Sequence, residues 1–309
     1  MISVVIPCYR SQYSIESVVD GAYKTLSQRD EPFEIILVND GSPDDVWTVI
    51  TKLTEKYPHI VKGINFTKNF GQHAALLAGY KYSKGDIVVS MDDDGQTNPE
   101  FIWKLIDRLD DGFDVVYAKY PVTKESLFRR LGSWANNKMS EDLIGKPKNV
   151  KGTSFNAIRR YVIDDMIKYD KSYPYIGGLV YRATSNIGDV EIEHNERKQG
   201  KSGYTLSKLV NLTLNGFTAF SVKPLRIASY LGIFSAFAGF IYAVVIVVRK
   251  IVNPNIQLGY SSMMSAILFI GGLIMFLLGM IGEYVGRIYI SINNQPQYVI
   301  KEIVDNEKK

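Results

Sequence analysis

The stretch Val88-Val89-Ser90-Met91-Asp92-Asp93-Asp94-Gly95-Gln96 governs the reading of the whole chain. An apolar run with strand character, Ile87 to Met91, empties straight into three carboxylates and an amide. Carboxylates this close repel one another and are most useful with a cation between them. At the end of a strand in an open α/β sheet, such a cation would lie in the crevice where ligands bind. A solvated acidic turn is the plainer alternative, because Asp and Gly are ordinary turn residues. The surrounding sequence decides between the two.

Upstream, strand and helix patterns alternate. Ile2–Pro7, Phe33–Val38, Ile60–Phe66 and Asp86–Met91 read as strands. Helical segments follow them near 13–28, after Ser42-Pro43-Asp44, through 74–82 and near 99–109, and Asp114–Ala118 is a further strand. Ser42 before Pro43 and Asn98 before Pro99 read as N-caps followed by proline at the first helical position. Short apolar strands separated by helices imply a mostly parallel sheet covered on both faces. Three strand ends then share one edge: Pro7-Cys8-Tyr9, Asn39-Asp40-Gly41-Ser42, and the acidic stretch. Farther on, Lys124–Met139 looks helical and Ile187–Ile192 looks like a strand. The polar, glycine-bearing segment from His194 to Tyr204 reads as a loop.

The chain has 309 residues, 46% of them hydrophobic, enough for one large domain and an appendage. A single cysteine, Cys8, excludes an internal disulfide framework and suits a reducing compartment. The net charge of +4 is mild and does not argue for nucleic acid as a partner. The N-terminal apolar run is strand-sized, so no cleaved signal is expected.

The apolar residues are unevenly spread. An uncharged run extends from Ile227 to Val248, bounded by Arg226 and by Arg249-Lys250, and a second extends from Met263 to Gly282. Each is about 30 Å long as a helix, the thickness of a bilayer's hydrocarbon core. Two spans put both chain ends on one side. Lys208, Lys223, Arg226, Arg287 and Lys301 flank that side, against Arg249 and Lys250 on the other, which favours a cytoplasmic soluble domain and cytoplasmic termini. Before the first span, Leu206, Leu209, Val210, Thr213, Phe217 and Phe220 recur at helical spacing, as in a helix lying on a membrane surface.

Taken together, these motifs resemble family 2 glycosyltransferases of the GT-A fold, and among them the membrane-attached polyprenyl-phosphate glycosyltransferases. That group includes dolichol-phosphate mannose synthases and bacterial undecaprenyl-phosphate sugar transferases. The resemblance also rests on Lys68-Asn69-Phe70-Gly71-Gln72, Gly85-Asp86, Arg197-Lys198-Gln199-Gly200-Lys201-Ser202-Gly203-Tyr204, and the ending Gly279-Met280-Ile281-Gly282-Glu283-Tyr284-Val285-Gly286-Arg287. It implies a GT-A domain over 1–203, an interfacial helix over 204–226, a two-helix membrane domain over 227–290 with spans near 227–248 and 263–282, and a cytoplasmic tail over 291–309.

The resemblance further implies an inverting transfer of a hexose or N-acetylhexosamine to a polyprenyl phosphate at a bacterial-type inner membrane. The donor would be a nucleotide sugar, UDP-linked in preference to GDP-linked, and the enzyme a homo-oligomer, with tetramers known among relatives. Asp40 would bond the nucleotide base, with Pro7 and Tyr9 shaping its pocket. Asp92, Asp94 and Gln96 match the family's metal-binding pattern, whose ion is Mg²⁺ or Mn²⁺. Asp93 occupies a variable position and receives no role. Lys119, Arg129 and Arg130 align with a basic region that holds the acceptor's phosphate, for which arginine's fork is suited. Arg197 and Ser202 would clamp the donor diphosphate.

One departure stands out. Many relatives carry an Asp-x-Gly segment, discussed as the catalytic base, where this chain reads Val150-Lys151-Gly152-Thr153-Ser154-Phe155. The loss is softened because a phosphate monoester, with its second pKa near 6, is already largely anionic at neutral pH. Lys151 could attract that anion. Two rival readings are a processive polysaccharide synthase, which would need more spans and a Gln-x-x-Arg-Trp motif, and a nucleotide-sugar-binding scaffold without turnover.

Overall fold

The structure, a computed structural model, describes residues 1–120, 141, 146–147, 150, 152–172, 174–192, 223–253, 259–292 and 296–305. These fall into two compact units, one built on a sheet and one consisting of two long helices.

In the sheet unit the chain runs β1 (Ile2–Cys8), α1 (Ile15–Leu26), β2 (Phe33–Asn39), α2 (Val46–Lys56), β3 (Val61–Phe66), α3 (Gln72–Tyr82) and β4 (Ile87–Ser90). It continues through a short 3₁₀ turn (Pro99–Phe101) into α4 (Ile102–Asp110) and β5 (Val115–Lys119). Asn98 caps the turn, its side chain accepting from the Glu100 N–H. Then come β6 (Asn156–Arg159), α5 (Arg160–Met166), α6 (Ile176–Ala183) and β7 (Ile187–Glu191). The helical unit comprises α7 (Lys223–Val252) and α8 (Tyr260–Ile292), after which β8 (Ile300–Asp305) rejoins the sheet.

The eight strands are ordered β7-β5-β6-β4-β1-β2-β3-β8. β1 pairs in parallel with both β2 and β4, so the chain reverses its direction of travel across the sheet at β1. That is the switch point at which such sheets bind ligands, outside the carboxyl ends of the strands. Only β6 and β8 run against the rest. Val4, Val5, Ile6, Ile35, Ile36, Leu37, Val38, Val88 and Val89 are fully buried, as strands with helices on both faces require. Each such side chain contributes about 1.5–3 kcal/mol by leaving water. Beneath the sheet, Gly85 abuts Ser3, where a Cβ would come within 2.6 Å of the Ser3 nitrogen.

Two strands were not expected from the sequence. β6 inserts antiparallel between β4 and β5. β8 lies in the segment expected to be a C-terminal tail, and pairs antiparallel with β3 from Lys62↔Asp305 to Phe66↔Ile300. Tyr298 stacks on Phe66 at 5.1 Å, and the Gln297 amide donates to the carbonyls of Tyr169 and Lys171. The residues on either side of the helix pair therefore both lead into one sheet unit.

α7 and α8 are long and apolar enough to cross a membrane, over Ala228–Arg249 and Phe269–Gly286. Phe234, Phe237 and Met275 are 72%, 64% and 71% exposed, an arrangement that water penalises and an apolar phase does not. The expected interfacial stripe over 206–220 lies outside the described residues.

Candidate functional site

The carboxyl ends of β1, β2 and β4 meet at the switch point, and each contributes an acid or an aromatic side chain to the rim. The loops after β1 and β2 are interlocked. The Arg10 N–H donates to the Ser42 hydroxyl at 2.8 Å, and the Asp45 N–H donates to Gln12 Oε1 at 2.8 Å. The Ser42 hydroxyl also donates to Asp44. Arg10 adopts φ 58, and its guanidinium lies 5.5 Å from the Tyr9 ring. Tyr9 is 42% exposed, whereas Pro7 is buried within β1.

Asp40, at the end of β2, is only 3% exposed. Its carboxylate accepts from the N–H groups of Phe70 at 2.7 Å and Gly71 at 2.9 Å, while the Asn69 amide donates to its carbonyl. Burial pushes the Asp40 carboxyl up to about 6, against the opposing pull of those two N–H donors. Next to it, Gly41 has φ +56, and a Cβ there would sit 2.2 Å from the Lys68 carbonyl carbon. Only glycine allows this approach. Asp40-Gly41 thus fixes the Lys68–Gly71 loop and, through it, the start of α3.

The acidic stretch after β4 divides by function. Asp93, without a role in the sequence reading, ties two loops together. Its carboxylate accepts from the Tyr9 N–H at 2.9 Å, and its carbonyl accepts from the Ser14 hydroxyl at 2.6 Å. Burial raises its carboxyl to about 6. Asp92 points the other way. Its Oδ1 accepts from the Gln72 amide at 3.1 Å and its Oδ2 from the Ser154 hydroxyl. Burial raises the Asp92 carboxyl; the Ser154 and Gln72 donors oppose the rise, and the neighbouring Asp94 charge reinforces it. Asp94 is exposed, with its Oδ1 accepting from the Gln96 N–H at 3.0 Å, and Gln96 is half-buried.

The donor chemistry of this corner fits a hard divalent cation. A half-buried carboxylate and an exposed one beside it repel each other, and a cation relieves both the repulsion and the desolvation with oxygen ligands it prefers. Among the described residues no three His, Cys, Asp or Glu side chains converge. Asp92, Asp94 and the Gln96 amide are the groups of this stretch that would hold such an ion, and further oxygens would come from substrate and water.

Lys119 ends β5 beside two acids of β7, with ion pairs to Asp189 at 3.6 Å and Glu191 at 3.5 Å. Arg129, Arg130, Lys151, Arg197 and Ser202 lie outside the described residues. The structure adds Gln72 and Ser154, which sequence reasoning did not single out. Gln72 stood in a quoted motif without a role, and Ser154 lies 62 positions from its partner, so no local pattern links them.

Comparison with known proteins gives the family. Residues 3–167 match the profile of glycosyl transferase family 2, and residues 223–288 match the GtrB C-terminal hairpin. The chain is 33% identical over 309 residues to an undecaprenyl-phosphate 4-deoxy-4-formamido-L-arabinose transferase of Serratia proteamaculans, covering 99% of this chain and 94% of the relative. It is 31% identical to the uncharacterized glycosyltransferase YkcC of Bacillus subtilis, covering 99% and 95%. Among solved structures, glucosyl-3-phosphoglycerate synthase of Mycobacterium tuberculosis, in complex with Mn²⁺, uridine diphosphate and glucosyl-3-phosphoglycerate, aligns with a TM-score of 0.50 at 20% identity. That alignment covers 69% of this chain and 76% of the other, and it shows a shared fold. Matched over residues 3–167 and, by its relatives, along nearly its whole length, the chain belongs to glycosyl transferase family 2.

Proposed function

We propose that the protein transfers a sugar from a nucleotide donor, UDP-linked, to a membrane polyprenyl phosphate such as undecaprenyl phosphate, with inversion at the anomeric carbon. The observation that carries this reading is the pairing of a crevice built around Asp92 and Asp94 with an apolar helix pair whose two ends both lead into the same sheet unit. The relatives named above support it, because they match along nearly the whole chain, helix pair included.

In this reading Tyr9 and Pro7 shape the base pocket. Asp40 holds the Lys68–Gly71 loop as one wall and keeps lone pairs for a base N–H. Asp92, Asp94 and Gln96 would hold Mg²⁺ or Mn²⁺, which supplies Lewis-acid stabilisation to the departing diphosphate. Arg197 and Ser202 act on the same diphosphate. Arg129, Arg130 and Lys151 bind the acceptor's phosphate; Lys119 contributes less because Asp189 and Glu191 already share its charge.

The acceptor oxygen is anionic at neutral pH, so it needs orientation more than a base. It attacks the anomeric carbon as the bond to the diphosphate breaks, and the nucleoside diphosphate leaves. The lipid-linked sugar is the product. In this reading the two helices cross and recross the membrane, with the crevice and both termini on the cytoplasmic side, as the basic flanks favour.

The test is to incubate membranes containing the protein with labelled nucleotide sugars and undecaprenyl phosphate. The donors should span UDP- and GDP-hexoses, N-acetylhexosamines and a nucleotide-linked 4-deoxy-4-formamido-L-arabinose. A solvent-extractable glycolipid from one donor class supports the proposal. Polymer, or donor binding without product, contradicts it.

A further inference from the structure

The segment that lacks the acid of many relatives is the one that reaches Asp92. Its backbone is held from several sides. The Ala118 N–H donates to the Phe155 carbonyl at 2.9 Å, which splices the turn onto β5. The Thr153 hydroxyl bonds to the Ala118 carbonyl at 2.8 Å and lies 3.0 Å from that of Phe155. The Asn156 amide donates to the carbonyls of Thr153 at 3.0 Å and Ser154 at 3.3 Å. Gly152 sits where a Cβ would lie 2.9 Å from the Tyr181 hydroxyl, so the turn is packed tightly as well as bonded. Thr153 and Asn156 bond within or beside the turn, whereas the Ser154 hydroxyl leaves it and donates to Asp92 Oδ2.

Opposite Ser154, the first residue of α3 supplies the Gln72 amide to Asp92 Oδ1. Among the described residues each carboxylate oxygen thus carries one donor, from a different element, with a further lone pair beyond it. Two donors on two oxygens fix the plane of the carboxylate, which one donor would leave free to swing. Their hydrogen bonds also favour the ionised form against the burial that opposes it.

We propose that Ser154, with Gln72 opposite, is a positioning residue that sets the Asp92 carboxylate plane toward the divalent cation and donor diphosphate. This rests on the metal reading given above. Such outer partners orient ligands in metal sites generally, and their loss typically weakens metal affinity about 10- to 100-fold. In this chain the turn therefore serves the donor side of the reaction, in place of an acid facing the acceptor.

The experiment measures Mn²⁺ binding to the detergent-solubilised full chain, by loss of the free-ion electron paramagnetic resonance signal, together with KM for donor and acceptor. Ser154→Ala should weaken Mn²⁺ binding about 10-fold or more and raise the donor KM, with the acceptor KM and melting temperature little changed. Ser154→Thr, which keeps the hydroxyl, should recover most of the affinity. Unchanged Mn²⁺ affinity in Ser154→Ala would overturn the inference, and a lowered melting temperature with it would mark a purely structural role. Should Ser154→Ala fail to fold, Gln72→Ala carries the test, since its side chain is exposed; several-fold weaker Mn²⁺ binding is expected, and wild-type affinity would contradict the proposal. A wild-type protein that makes glycolipid without binding Mn²⁺ or Mg²⁺ would overturn the metal reading and this inference together. Wild-type Mn²⁺ binding that Ser154→Ala leaves intact would overturn the inference alone.

Discussion

The β1–β2 side of the rim and the β4 side carry the same residue type in opposite circumstances. Asp40 is buried, and the Phe70 and Gly71 N–H groups occupy its carboxylate. Asp93, although it follows β4, joins that side by taking the Tyr9 N–H and bracing Ser14. Among the described residues Asp92 receives side-chain donors alone, Gln72 and Ser154, and it lies beside the exposed Asp94. Backbone donors are fixed by the fold and make an acid part of the scaffold. Side-chain donors orient an acid without tying it to the main chain; in both cases one donor per oxygen leaves a lone pair, so the difference lies in what each acid holds in place. The difference teaches that adjacent aspartates in one motif are sorted by who supplies their hydrogen bonds, and sequence proximity alone does not sort them.

The comparison breaks if the two groups respond alike to mutation. The largest effect is expected for Asp92→Asn and Asp94→Asn, which should lower glycolipid formation by about 10²–10³-fold or more. Membrane insertion and melting temperature should stay close to wild type, as checked by flotation and circular dichroism. Asp40→Ala should do the reverse in kind. Leaving two part-buried N–H groups without their acceptor costs about 1–3 kcal/mol, seen as a lower melting temperature, while Mn²⁺ affinity changes little. A metal-binding loss in Asp40→Ala as deep as that in Asp92→Asn would erase the distinction.

A smaller effect sharpens the same point through pH. The Asp40 carboxyl is raised to about 6, so between about pH 4 and pH 6 the folded chain holds a proton that the unfolded chain has released. Its contribution is therefore fully present below pH 4 and is lost as pH rises through 6. The stability difference between wild type and Asp40→Asn should shift against wild type by about 2 kcal/mol from pH 4 to pH 7, after allowing for partial solvation. Denaturant titrations at the two pH values measure it. A pH-independent difference would mean that the Asp40 carboxylate is not desolvated.

Much of this architecture is legible in the sequence because its central strands are mostly apolar runs set between helical segments. Ile2–Cys8, Phe33–Asn39 and Val61–Phe66 emerge where such runs occur. β6 is hidden because Asn156-Ala157-Ile158-Arg159 is four residues with polar ends, stabilised by neighbours far along the chain. β8 is hidden because Ile300-Lys301-Glu302-Ile303-Val304-Asp305 is a charged edge strand behind an apolar helix, a composition that reads as a tail. At the site, Asp92 and Asp94 stand out because acids crowd a strand end. Ser154 and Gln72 do not, because their value lies in a contact across the fold. Asp93 is hard to read from the sequence for a similar reason, since its partners Tyr9 and Ser14 come from the loop after β1.

The most direct measurement is the rate of lipid-linked sugar formation by the purified protein, with its preferred nucleotide sugar and undecaprenyl phosphate, before and after removal of divalent ions by chelator. The account predicts a fall to background and recovery on adding Mg²⁺ or Mn²⁺. An undiminished rate in the chelated enzyme would contradict it.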